Sequence, residues 1–493
     1  MSQLRDWKNK LYFGDNLDIL KDKIPDNSVD LIYLDPPFKS GKTYNIIFQP
    51  EVGEYKGATA QIKTFEDTWK WGEEAERNYE GLIRGTIIKE KPNQKLIDLM
   101  KSMRSYLGEC SMMAYLSMMA PRLLEMRRVL KNTGSIYLHC DPTASHYLKL
   151  LMDAIFGVEN FQNEIVWCYT AGGVSEKYFG KKHHIIFFYS KSKDYNFYPV
   201  YRPYSEKTLK RGLTQVKGKY FDKGLRKEGA VLQDWWEIQP ILSPTAKERV
   251  GYPTQKPEAL LERIIKASSK KGDLVLDPFC GCGTTVAVAE GLGRRWMGVD
   301  ITYLAIDVIS KRLKKNGIKE NDDFEIDGEP KDVYSAKKLT EKDPFQFQIW
   351  CISKLDATPS ETKSADRGVD GIINFYDPEK QNKVGKGIIQ VKGTENVNPS
   401  MVRDLKGTLK GQNADFGILI TFKEATPGMI KEATQEGYFK FIGKDISRIQ
   451  FLTVEDLFKD PIPVKLPQTT LPPYKKPVIE KEMKNSQKLL FKE

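Results

Sequence analysis

The alternation of short apolar runs with helical segments, from Leu11 to about Glu325, constrains the fold of this chain most strongly. The runs are rich in β-branched and aromatic residues: VDLIYLD (29–35), GSIYLHCD (134–141), HIIFFYS (184–190), DLVLDPF (273–279) and RWMGVD (295–300). Segments with helical periodicity, such as PEALLERIIKASS, lie between them. This pattern predicts an α/β fold, with a mainly parallel sheet covered by helices on both faces.

Polar segments interrupt the alternation and divide the chain. Residues 50–101 are predicted to form a long insertion, and residues 191–249 are rich in Tyr, Lys, Arg and Trp without clean periodicity. The predicted parts are a first domain at 1–325, a linker at 326–344, a second, smaller α/β domain at 345–461 and a basic Pro- and Lys-rich tail at 462–493.

The charge balance favours a polyanionic partner. Lys plus Arg number 77 against 66 Asp plus Glu, which gives a net charge of +11, and nucleic acid is the simplest partner for such a chain. A basic surface that serves only solubility is the alternative. No apolar run approaches the length of a bilayer span and the first ten residues are too polar for a signal peptide, so we expect a cytoplasmic protein without membrane contact.

Cysteine usage agrees with a reducing compartment. The six cysteines lack paired regular spacing. Cys280 and Cys282 form a single C-x-C without the second pair that a structural zinc site needs.

The segment DLIYLDPPFKSGKTYN contains Gly41-Lys42-Thr43, which looks like the end of a phosphate-binding loop. Such a loop needs a glycine five residues before the Gly-Lys-Thr, because its backbone N–H groups wrap the phosphates. Pro36 occupies that position and has no N–H, and neither has Pro37. The phosphate-loop interpretation therefore fails.

Asp35 in this segment ends a strand, and ligands of open α/β sheets lie at the carboxyl ends of strands. The two prolines stiffen the turn, so that Asp35 and the adjacent carbonyl present two acceptors close together. Such acceptors suit the N–H groups of a nucleobase amine and stabilise the positive charge that its nitrogen gains on attacking an electrophile. Phe38 offers an apolar face for a flipped base. A Pro-Pro turn without function is the alternative.

The stretch LVLDPFCGCGTTVAVAEGLGRRWMGVD predicts a second ligand site. A strand ends at Asp277, a turn contains Gly281 and Gly283, a helix begins at Thr284, and the next strand ends at Asp300. The glycines let a ligand lie against the backbone, and the last acid can hold both hydroxyls of a ribose. The spacing is not G-x-G-x-x-G and no phosphate-binding lysine follows, which favours a nucleoside without phosphate, such as S-adenosylmethionine. A generic dinucleotide fold is the alternative.

DPPF followed by LDPFCGCGTT resembles the DNA amino-methyltransferases that modify adenine N6 or cytosine N4, and the motif order resembles their permuted β class. The resemblance covers residues 11–308 and implies a Rossmann-like, S-adenosylmethionine-dependent methyltransferase domain that acts on double-stranded DNA. It implies that LYFGDNLDIL and TQKPEALLERII contact the cofactor adenine and the methionine moiety. The implied catalytic residues are Asp35, Pro36, Pro37 and Phe38, and the implied cofactor-binding residues are Asp15, Lys256, Pro257, Asp277, Phe279, Gly281, Gly283, Thr284 and Asp300.

Asp before Pro-Pro is the form usual among the adenine-N6 members, so the resemblance favours adenine. Methylation of cytosine N4, of RNA or of a protein glutamine remain alternatives. Residues 191–249 fall where the family carries its target recognition region, and a structured insertion without that role is the alternative. His183 and His184, just before an apolar strand, are predicted to be structural.

The second α/β pattern resembles the Mrr-type restriction endonucleases of the PD-(D/E)xK group. The resemblance implies that Asp370 binds Mg²⁺ and that Gln390 and Lys392 complete a catalytic site. Gln390 stands where many relatives have an acid, and the preceding helix offers Gln346 and Gln348 instead of an acid. A domain that only binds DNA is therefore the alternative.

Together these observations predict a DNA methyltransferase of a restriction-modification system with an endonuclease-like second domain. Because the chain lacks a phosphate-binding loop, any ATP-driven translocation would have to come from a partner. A restriction or translocase subunit and a second copy of the chain are the partners left open besides DNA.

Overall fold

The computed structural model describes residues 8–37, 43–48, 60–66, 70–172, 176–212, 215–216, 219–220, 225–241, 248–250, 252, 254–360, 368–377 and 383–470. These residues form two compact units, the first from the described parts of 1–41, 67–242 and 256–299, and the second from the described parts of 42–66, 243–255 and 300–493. Among the described residues, no helix combines the length and the apolar character needed to cross a membrane.

The elements alternate along both units. The strands are β1 (Asn9–Phe13), β2 (Val29–Leu34), β3 (Thr43–Phe48), β4 (Ala60–Glu66), β5 (Leu130–Cys140), β6 (Phe161–Cys168), β7 (His183–Ser190), β8 (Tyr201–Arg202), β9 (Gln215–Val216), β10 (Lys219–Tyr220), β11 (Ala230–Val231), β12 (Trp235–Glu237), β13 (Leu274–Asp277), β14 (Arg295–Asp300), β15 (Phe324–Asp327), β16 (Thr358–Pro359), β17 (Gly371–Asp377), β18 (Lys383–Val391), β19 (Phe416–Thr421), β20 (Tyr438–Phe441), β21 (Lys444–Ser447) and β22 (Ile449–Thr453). The α-helices are α1 (Asn16–Lys23), α2 (Glu73–Arg84), α3 (Gln94–Leu107), α4 (Ser111–Val129), α5 (Ser145–Phe156), α6 (Glu206–Arg211), α7 (Glu258–Ser268), α8 (Thr284–Gly291), α9 (Tyr303–Lys315), α10 (Val333–Lys342), α11 (Pro344–Ser353), α12 (Pro399–Gln412) and α13 (Pro427–Thr434). Short 3₁₀ turns lie at Val158–Asn160 and Asp456–Phe458.

The sheet of the first unit has its strands hydrogen-bonded in the order β12–β6–β7–β5–β2–β13–β14–β1. The central pairs β2/β5, β2/β13 and β13/β14 are parallel, whereas β7 runs antiparallel to β5 and β6. Every residue of β2 is buried, as expected of a strand covered on both faces. The predicted α/β class is confirmed.

Helices cover both faces of this sheet, as the contacts of alternate residues of β5 show. Ile136 and Leu138 lie in the same apolar core as residues of α4 and α5. The hydroxyl of Tyr137, between them in sequence, is 2.7 Å from the hydroxyl of Ser268 on α7. This arrangement follows from the period of two along a strand.

The segment predicted as an insertion at 50–101 differs from that expectation where it is described. Helices α2 and α3 belong to the core of the first unit, and Leu82, Leu96 and Met100 are fully buried there. Their buried residues follow helical spacing, for example Ala75, Tyr79 and Leu82 in α2. Many charged residues lie on the opposite faces of these helices, so the overall composition of the segment does not reveal the apolar stripe.

The second unit has a sheet of five strands in the order β16–β17–β18–β19–β22. Strand β17 is antiparallel to β18, and β18, β19 and β22 are parallel. Its core includes Val402, Leu405 and Leu409 of α12 and Met429 of α13, packed with strand residues such as Ile388.

The segment 326–344, predicted as a linker, is largely helical, because it contains α10 with an N-terminal capping box of Asp332 and Ser335. Helix α9, predicted in the first domain, packs with the second unit. The backbone N–H of Tyr303 donates to Gln346 Oε1 at 2.7 Å, and its hydroxyl donates to Glu329 Oε2 at 2.7 Å. Because these segments are locally polar, their sequence does not indicate the contacts that they make in the folded chain.

The tail predicted at 462–493 begins as part of the second unit. The backbone N–H of Tyr376 on β17 donates to the carbonyl of Thr469 at 3.0 Å, and the Thr469 hydroxyl donates back to the carbonyl of Tyr376. Residues 471–493 of the predicted tail lie outside the described residues.

Candidate active site

Asp35 lies directly after β2, at the carboxyl end of a strand between β5 and β13. Its side chain is only 16% exposed, and its Oδ2 accepts a hydrogen bond from the Lys256 ammonium. Its Oδ1 is buried and has no hydrogen-bond partner among the described residues. A buried acceptor without a partner is costly, and such atoms mark places where a ligand supplies the missing donor.

The prolines that follow Asp35 are described, whereas the aromatic residue is not. Pro36 is buried and Pro37 is partly buried. Phe38 lies outside the described residues, so its stacking role stays a prediction.

Two opposing effects set the protonation of Asp35. Burial raises the pKa of its carboxyl group, and the charge and hydrogen bond of Lys256 lower it. The family resemblance implies that Lys256 flanks the methionine moiety of the cofactor, and in the structure its ammonium donates to Asp35 of the predicted catalytic motif. Pro257 is buried and is the N-cap residue of α7, so Lys256 lies directly before this helix.

Three hydrogen-bonded side chains, those of Tyr33, His139 and His184, lie beside Asp35. The sequence did not indicate that they belong to the site. The Tyr33 hydroxyl oxygen is 2.9 Å from Nδ1 of His139, and Nε2 of His139 is 2.9 Å from Nδ1 of His184. His139 Nδ1 is also 3.9 Å from Asp35 Oδ1. The one sequence signal is that Tyr33 precedes Asp35 by two residues and so shares its face of the strand.

The pKa values of both imidazoles in this hydrogen-bonded series are lowered, which favours their neutral forms. Burial, with the charge of Lys256 and of His184, holds the pKa of His139 well below its ordinary value. Burial, with Lys256 and His183, lowers the pKa of His184 to about 3. His183 is exposed, whereas His184, predicted above to be structural, lies in this cluster.

The turn after β13 is held by Asp277. Its Oδ1 accepts from the backbone N–H of Phe279 at 3.0 Å and its Oδ2 accepts from the Thr285 hydroxyl at 2.5 Å, while the residue is only 3% exposed. Gly281 and Gly283 adopt left-handed backbone conformations, with φ of 49° and 73°. Residues with a Cβ rarely adopt that conformation, which explains the glycines at these positions.

Helix α8 begins at Thr284 directly after this turn, and its N-cap Gly283 has no side chain to cap it. The first backbone N–H groups of such a helix are available to an external acceptor. Together with the two glycines of the turn, this geometry fits a ligand that lies against the backbone, as S-adenosylmethionine would. Asp277 supports the turn from within, because each of its carboxylate oxygens accepts a hydrogen bond from the turn or the start of α8.

Asp15, predicted to contact the cofactor adenine, is tied to residues that sequence analysis missed. Both of its carboxylate oxygens accept from Arg122 Nη2 at 2.9 Å, and Oδ1 also caps α1 through the backbone N–H of Leu17 at 2.7 Å. Arg122 donates to Asn16 Oδ1 at 2.6 Å, and Asn16 Nδ2 donates to the Pro278 carbonyl at 2.8 Å. This network joins the Gly-Asp motif to the turn after β13.

Asp300, predicted to hold a ribose, ends β14, the strand that pairs in parallel with β13. Its Oδ1 accepts from the backbone N–H of Thr302 at 2.9 Å and from the Thr302 hydroxyl at 2.7 Å. These bonds fix the carboxylate at the start of α9.

The second unit brings together most of its predicted site residues. Asp370 Oδ2 accepts from the backbone N–H of Val391 at 2.7 Å, and its Oδ1 accepts from Gln348 Nε2 at 3.3 Å. Burial raises the pKa of Asp370, and the Val391 N–H and Lys392 oppose this. Gln390 donates to Thr408 Oγ1 at 3.2 Å, and its buried Oε1 has no hydrogen-bond partner in the part of the chain that the structure describes.

These residues decide how well a divalent ion fits the second unit. Among the described residues, no group of three or more His, Cys, Asp or Glu side chains is arranged to hold a metal. Asp370 and the unpartnered amide oxygen of Gln390 nevertheless supply oxygen ligands, and Mg²⁺ commonly binds through one or two protein oxygens plus substrate phosphate. These oxygens are of the chemical type that Mg²⁺ binds.

Comparison with known proteins agrees with the motifs. Residues 29–311 match the family described as DNA methylase, and residues 339–453 match the family described as restriction endonuclease. The chain is similar to the DNA adenine methyltransferase YhdJ of Escherichia coli strain K12, with 30% identity over 304 residues that cover 61% of this chain and 81% of that protein.

Other similar proteins cover different shares of the chain. The Type II methyltransferase M.HpaI of Haemophilus parainfluenzae is 34% identical over 200 residues, which is 40% of this chain and 59% of the relative. A solved structure titled PvuII DNA methyltransferase (cytosine-N4-specific) has 15% identity and a TM-score of 0.38, over 63% of this chain and 88% of that chain. The two family matches confirm the resemblance noted in the sequence.

Proposed function

This chain belongs to the DNA methylase family, and we propose that its first unit transfers a methyl group from S-adenosylmethionine to adenine N6 in double-stranded DNA. The observation that carries this proposal is the buried Oδ1 of Asp35, which has no hydrogen-bond partner. It lies at the carboxyl end of a central strand, beside two prolines that offer no competing donor. An exocyclic amine, with two N–H donors, matches this acceptor.

The residues of the first unit have different roles in the reaction. S-adenosylmethionine supplies, when bound, an electrophilic methyl group on a sulfonium. Asp35 and the adjacent carbonyl hold the amine hydrogens, which orients the nitrogen lone pair and stabilises the positive charge that develops there. Phe38 and the exposed aromatic residues of the predicted target recognition region, such as Trp235 and Tyr201, would contact an extruded base and its neighbours.

We assign the cofactor to the turn after β13 and its surroundings. Gly281 and Gly283 add no side chain to this turn, and α8 begins directly after it, where the first N–H groups of a helix can bind an acceptor. Asp300 would take the ribose hydroxyls, and Phe279 would border the pocket. The carboxylate of Asp15, held by Arg122, would face the adenine.

Adenine is favoured over cytosine by two observations. Asp, rather than Ser, precedes Pro-Pro in this chain, which is usual among adenine-N6 members of the family. The relative YhdJ, of which this chain covers 81%, is described as a DNA adenine methyltransferase. Cytosine N4 is the second candidate, because both amines present the same pair of N–H donors to Asp35.

For the second unit we propose an endonuclease that uses Mg²⁺ and serves, with the methyltransferase, a restriction-modification system. Asp370 and Gln390 would hold the ion, and Lys392 would support the nucleophile or the developing charge on phosphate. The match over residues 339–453 to a restriction endonuclease family supports this proposal. A unit that only binds DNA is its rival, because Gln390 and Gln348 stand where an acid would bind metal more strongly.

The base and its sequence context can be measured together. We would express the chain in a bacterial host without DNA methyltransferases and sequence its genomic DNA by a method that detects modified bases. The expected result is N6-methyladenine at one short sequence, absent from cells that express Asp35→Ala. N4-methylcytosine instead would contradict the choice of base, and unmodified DNA would contradict the proposed function.

A further inference from the structure

The hydrogen-bonded chain of Tyr33, His139 and His184 has no role in the function proposed so far. His139 is fully buried, and both of its ring nitrogens are engaged, with Tyr33 and with His184, at 2.9 Å each. His184 is partly exposed, so the hydrogen-bonded series of Tyr33, His139 and His184 leads from the interior toward solvent. Its inner end lies 3.9 Å from the unpartnered Oδ1 of Asp35.

Methylation of an amine leaves a proton to be removed. The nitrogen that attacks a sulfonium methyl group gains a positive charge and becomes neutral only by losing one N–H proton. Asp35 Oδ1, proposed above to hold that N–H, is the first acceptor for it. A buried carboxyl group that keeps the proton cannot act as an acceptor in the next cycle, so the proton needs a way out.

We propose that His139 and His184 carry this proton from Asp35 to solvent, an inference that rests on the proposed function of Asp35. The amine N–H bond breaks, its electron pair stays on nitrogen, and an O–H bond forms at Asp35 Oδ1. That O–H bond then breaks as an N–H bond forms at His139 Nδ1. The Nε2 proton of His139 passes to Nδ1 of His184, and the Nε2 proton of His184 passes to water.

This transfer keeps every imidazole neutral. Each histidine begins and ends with one N–H, and Tyr33 changes from donor to acceptor as Nδ1 of His139 gains its proton. The low pKa of both histidines, caused mainly by burial, agrees with exchange between neutral tautomers rather than storage of an imidazolium. The charged group that faces both rings is Lys256, and His183 adds to the effect on His184.

One distance must shorten for the path to work. Asp35 Oδ1 and His139 Nδ1 are 3.9 Å apart, beyond hydrogen-bond length. Catalytic hydrogen bonds are often long in unliganded enzymes and tighten when substrate binds, to about 2.6–3.2 Å. Lys256 holds the other oxygen, Oδ2, in the unliganded site, so arrival of the amine changes the contacts of this carboxylate.

Two variants test the path with the full chain and a duplex that contains the site found by sequencing. In His139→Gln the amide keeps hydrogen-bonding groups but cannot exchange tautomers, and His184→Ala removes the outer carrier. We expect multiple-turnover methyl transfer to slow by about a hundredfold in each, the scale of acid–base contributions, whereas the first turnover needs only Asp35 and should keep its rate. Calorimetry should show unchanged binding of S-adenosylmethionine and of the duplex. Imidazole added to the buffer should restore part of the rate of His184→Ala.

The exposed His146 on α5 provides the matched control, and His146→Ala should react at the wild-type rate. Wild-type rates in both test variants would overturn the proton path. So would a slow His184→Ala that imidazole does not restore, because that result indicates a packing role. Wild-type protein that transfers no methyl group to any DNA would instead overturn the proposed function, and this inference with it.

Discussion

At the scale of single residues, three acids at or after strand ends differ in how their oxygens are satisfied. Each carboxylate oxygen of Asp277 accepts a hydrogen bond, from Phe279 in its turn and from Thr285 on α8. Asp15 is held by Arg122. Asp35 alone of the three keeps a buried oxygen without a partner, and it therefore has the capacity to accept a hydrogen bond from a substrate.

Removing this acceptor should abolish catalysis without abolishing cofactor binding. We expect Asp35→Ala to reduce the rate of methyl transfer by about a hundred- to a thousandfold, the scale measured for one preorganised transition-state hydrogen bond. Calorimetric affinity for S-adenosylmethionine should persist, because the glycine turn after β13 is intact. The exposed Asp18 on α1 is the control, as Asp18→Ala should react normally. Near-normal turnover of Asp35→Ala would refute the assignment.

The pH dependence of the reaction should report the lysine that faces Asp35. Burial raises the pKa of this carboxyl group and Lys256 lowers it, so Lys256→Met should raise it further. A protonated carboxyl group is a weaker acceptor, and the rate should therefore fall at a higher pH in the variant than in the wild type as the solution is acidified. Single-turnover rates measured across pH provide the check.

Lys266→Met is the matched control for this pH experiment, since Lys266 is an exposed lysine on α7, the helix that follows Lys256. Its pH profile should coincide with that of the wild type. An acidic limb at the same pH in Lys256→Met as in the wild type would show that the lysine does not tune Asp35.

At the scale of elements, the site depends on bonds between segments that are far apart in sequence. Arg122 on α4 binds Asp15 before α1, and Asn16 on α1 binds the Pro278 carbonyl after β13. These bonds hold two loops at the same edge of the sheet. The helices α2 and α3 likewise reach the core through single apolar stripes, which explains why polar composition did not reveal them.

Breaking the Arg122 network should cost stability as well as cofactor affinity. Its side chain is 7% exposed, so Arg122→Met leaves Asp15 and Asn16 without a buried charged donor. We expect the free energy of unfolding to fall by roughly 2 kcal/mol, the scale of a hydrogen bond to a charged group. Urea denaturation followed by circular dichroism measures this. Arg84→Met, at an arginine that is 70% exposed, should leave the midpoint unchanged; an equal midpoint in Arg122→Met would contradict the expectation.

At the scale of the whole molecule, two units with different chemistry share one chain. The first presents an unpartnered carboxylate oxygen and the second an unpartnered amide oxygen, and each lies among its own predicted site residues. Separate sites of this kind should be separable by mutation.

We expect the purified chain to cleave plasmid DNA with Mg²⁺ and Asp370→Ala to lose cleavage while it retains methyl transfer. Asp445→Ala, at an exposed acid of the second unit, is the control. Plasmid is offered both unmodified and methylated by the first unit. Self-protection predicts less cleavage of the methylated form, and an Mrr-type ancestry predicts the opposite. Wild-type protein that cuts neither plasmid would favour a unit that only binds DNA.

The sequence by itself determined the α/β class and the two chemical motifs. Strand–helix alternation follows from local periodicity, and Asp-Pro-Pro and the Gly281–Gly283 turn are short enough to be interpreted without tertiary contacts. It also placed Asp370 and the Gln-x-Lys motif in one second domain. Local patterns report which face a residue lies on, and they do not report which distant residue faces it.

The tertiary structure alone decided the partners. Lys256 reaches Asp35 across 221 positions and Tyr33 meets His139 across 106, because the strand order places β2 beside β5 and α7 packs over that face. It also showed that the predicted linker and α9 belong to the second unit, where Tyr303 binds Gln346 and Glu329. Such contacts depend on strand order and on buried polar pairing, which are properties of the folded chain as a whole and of no single segment.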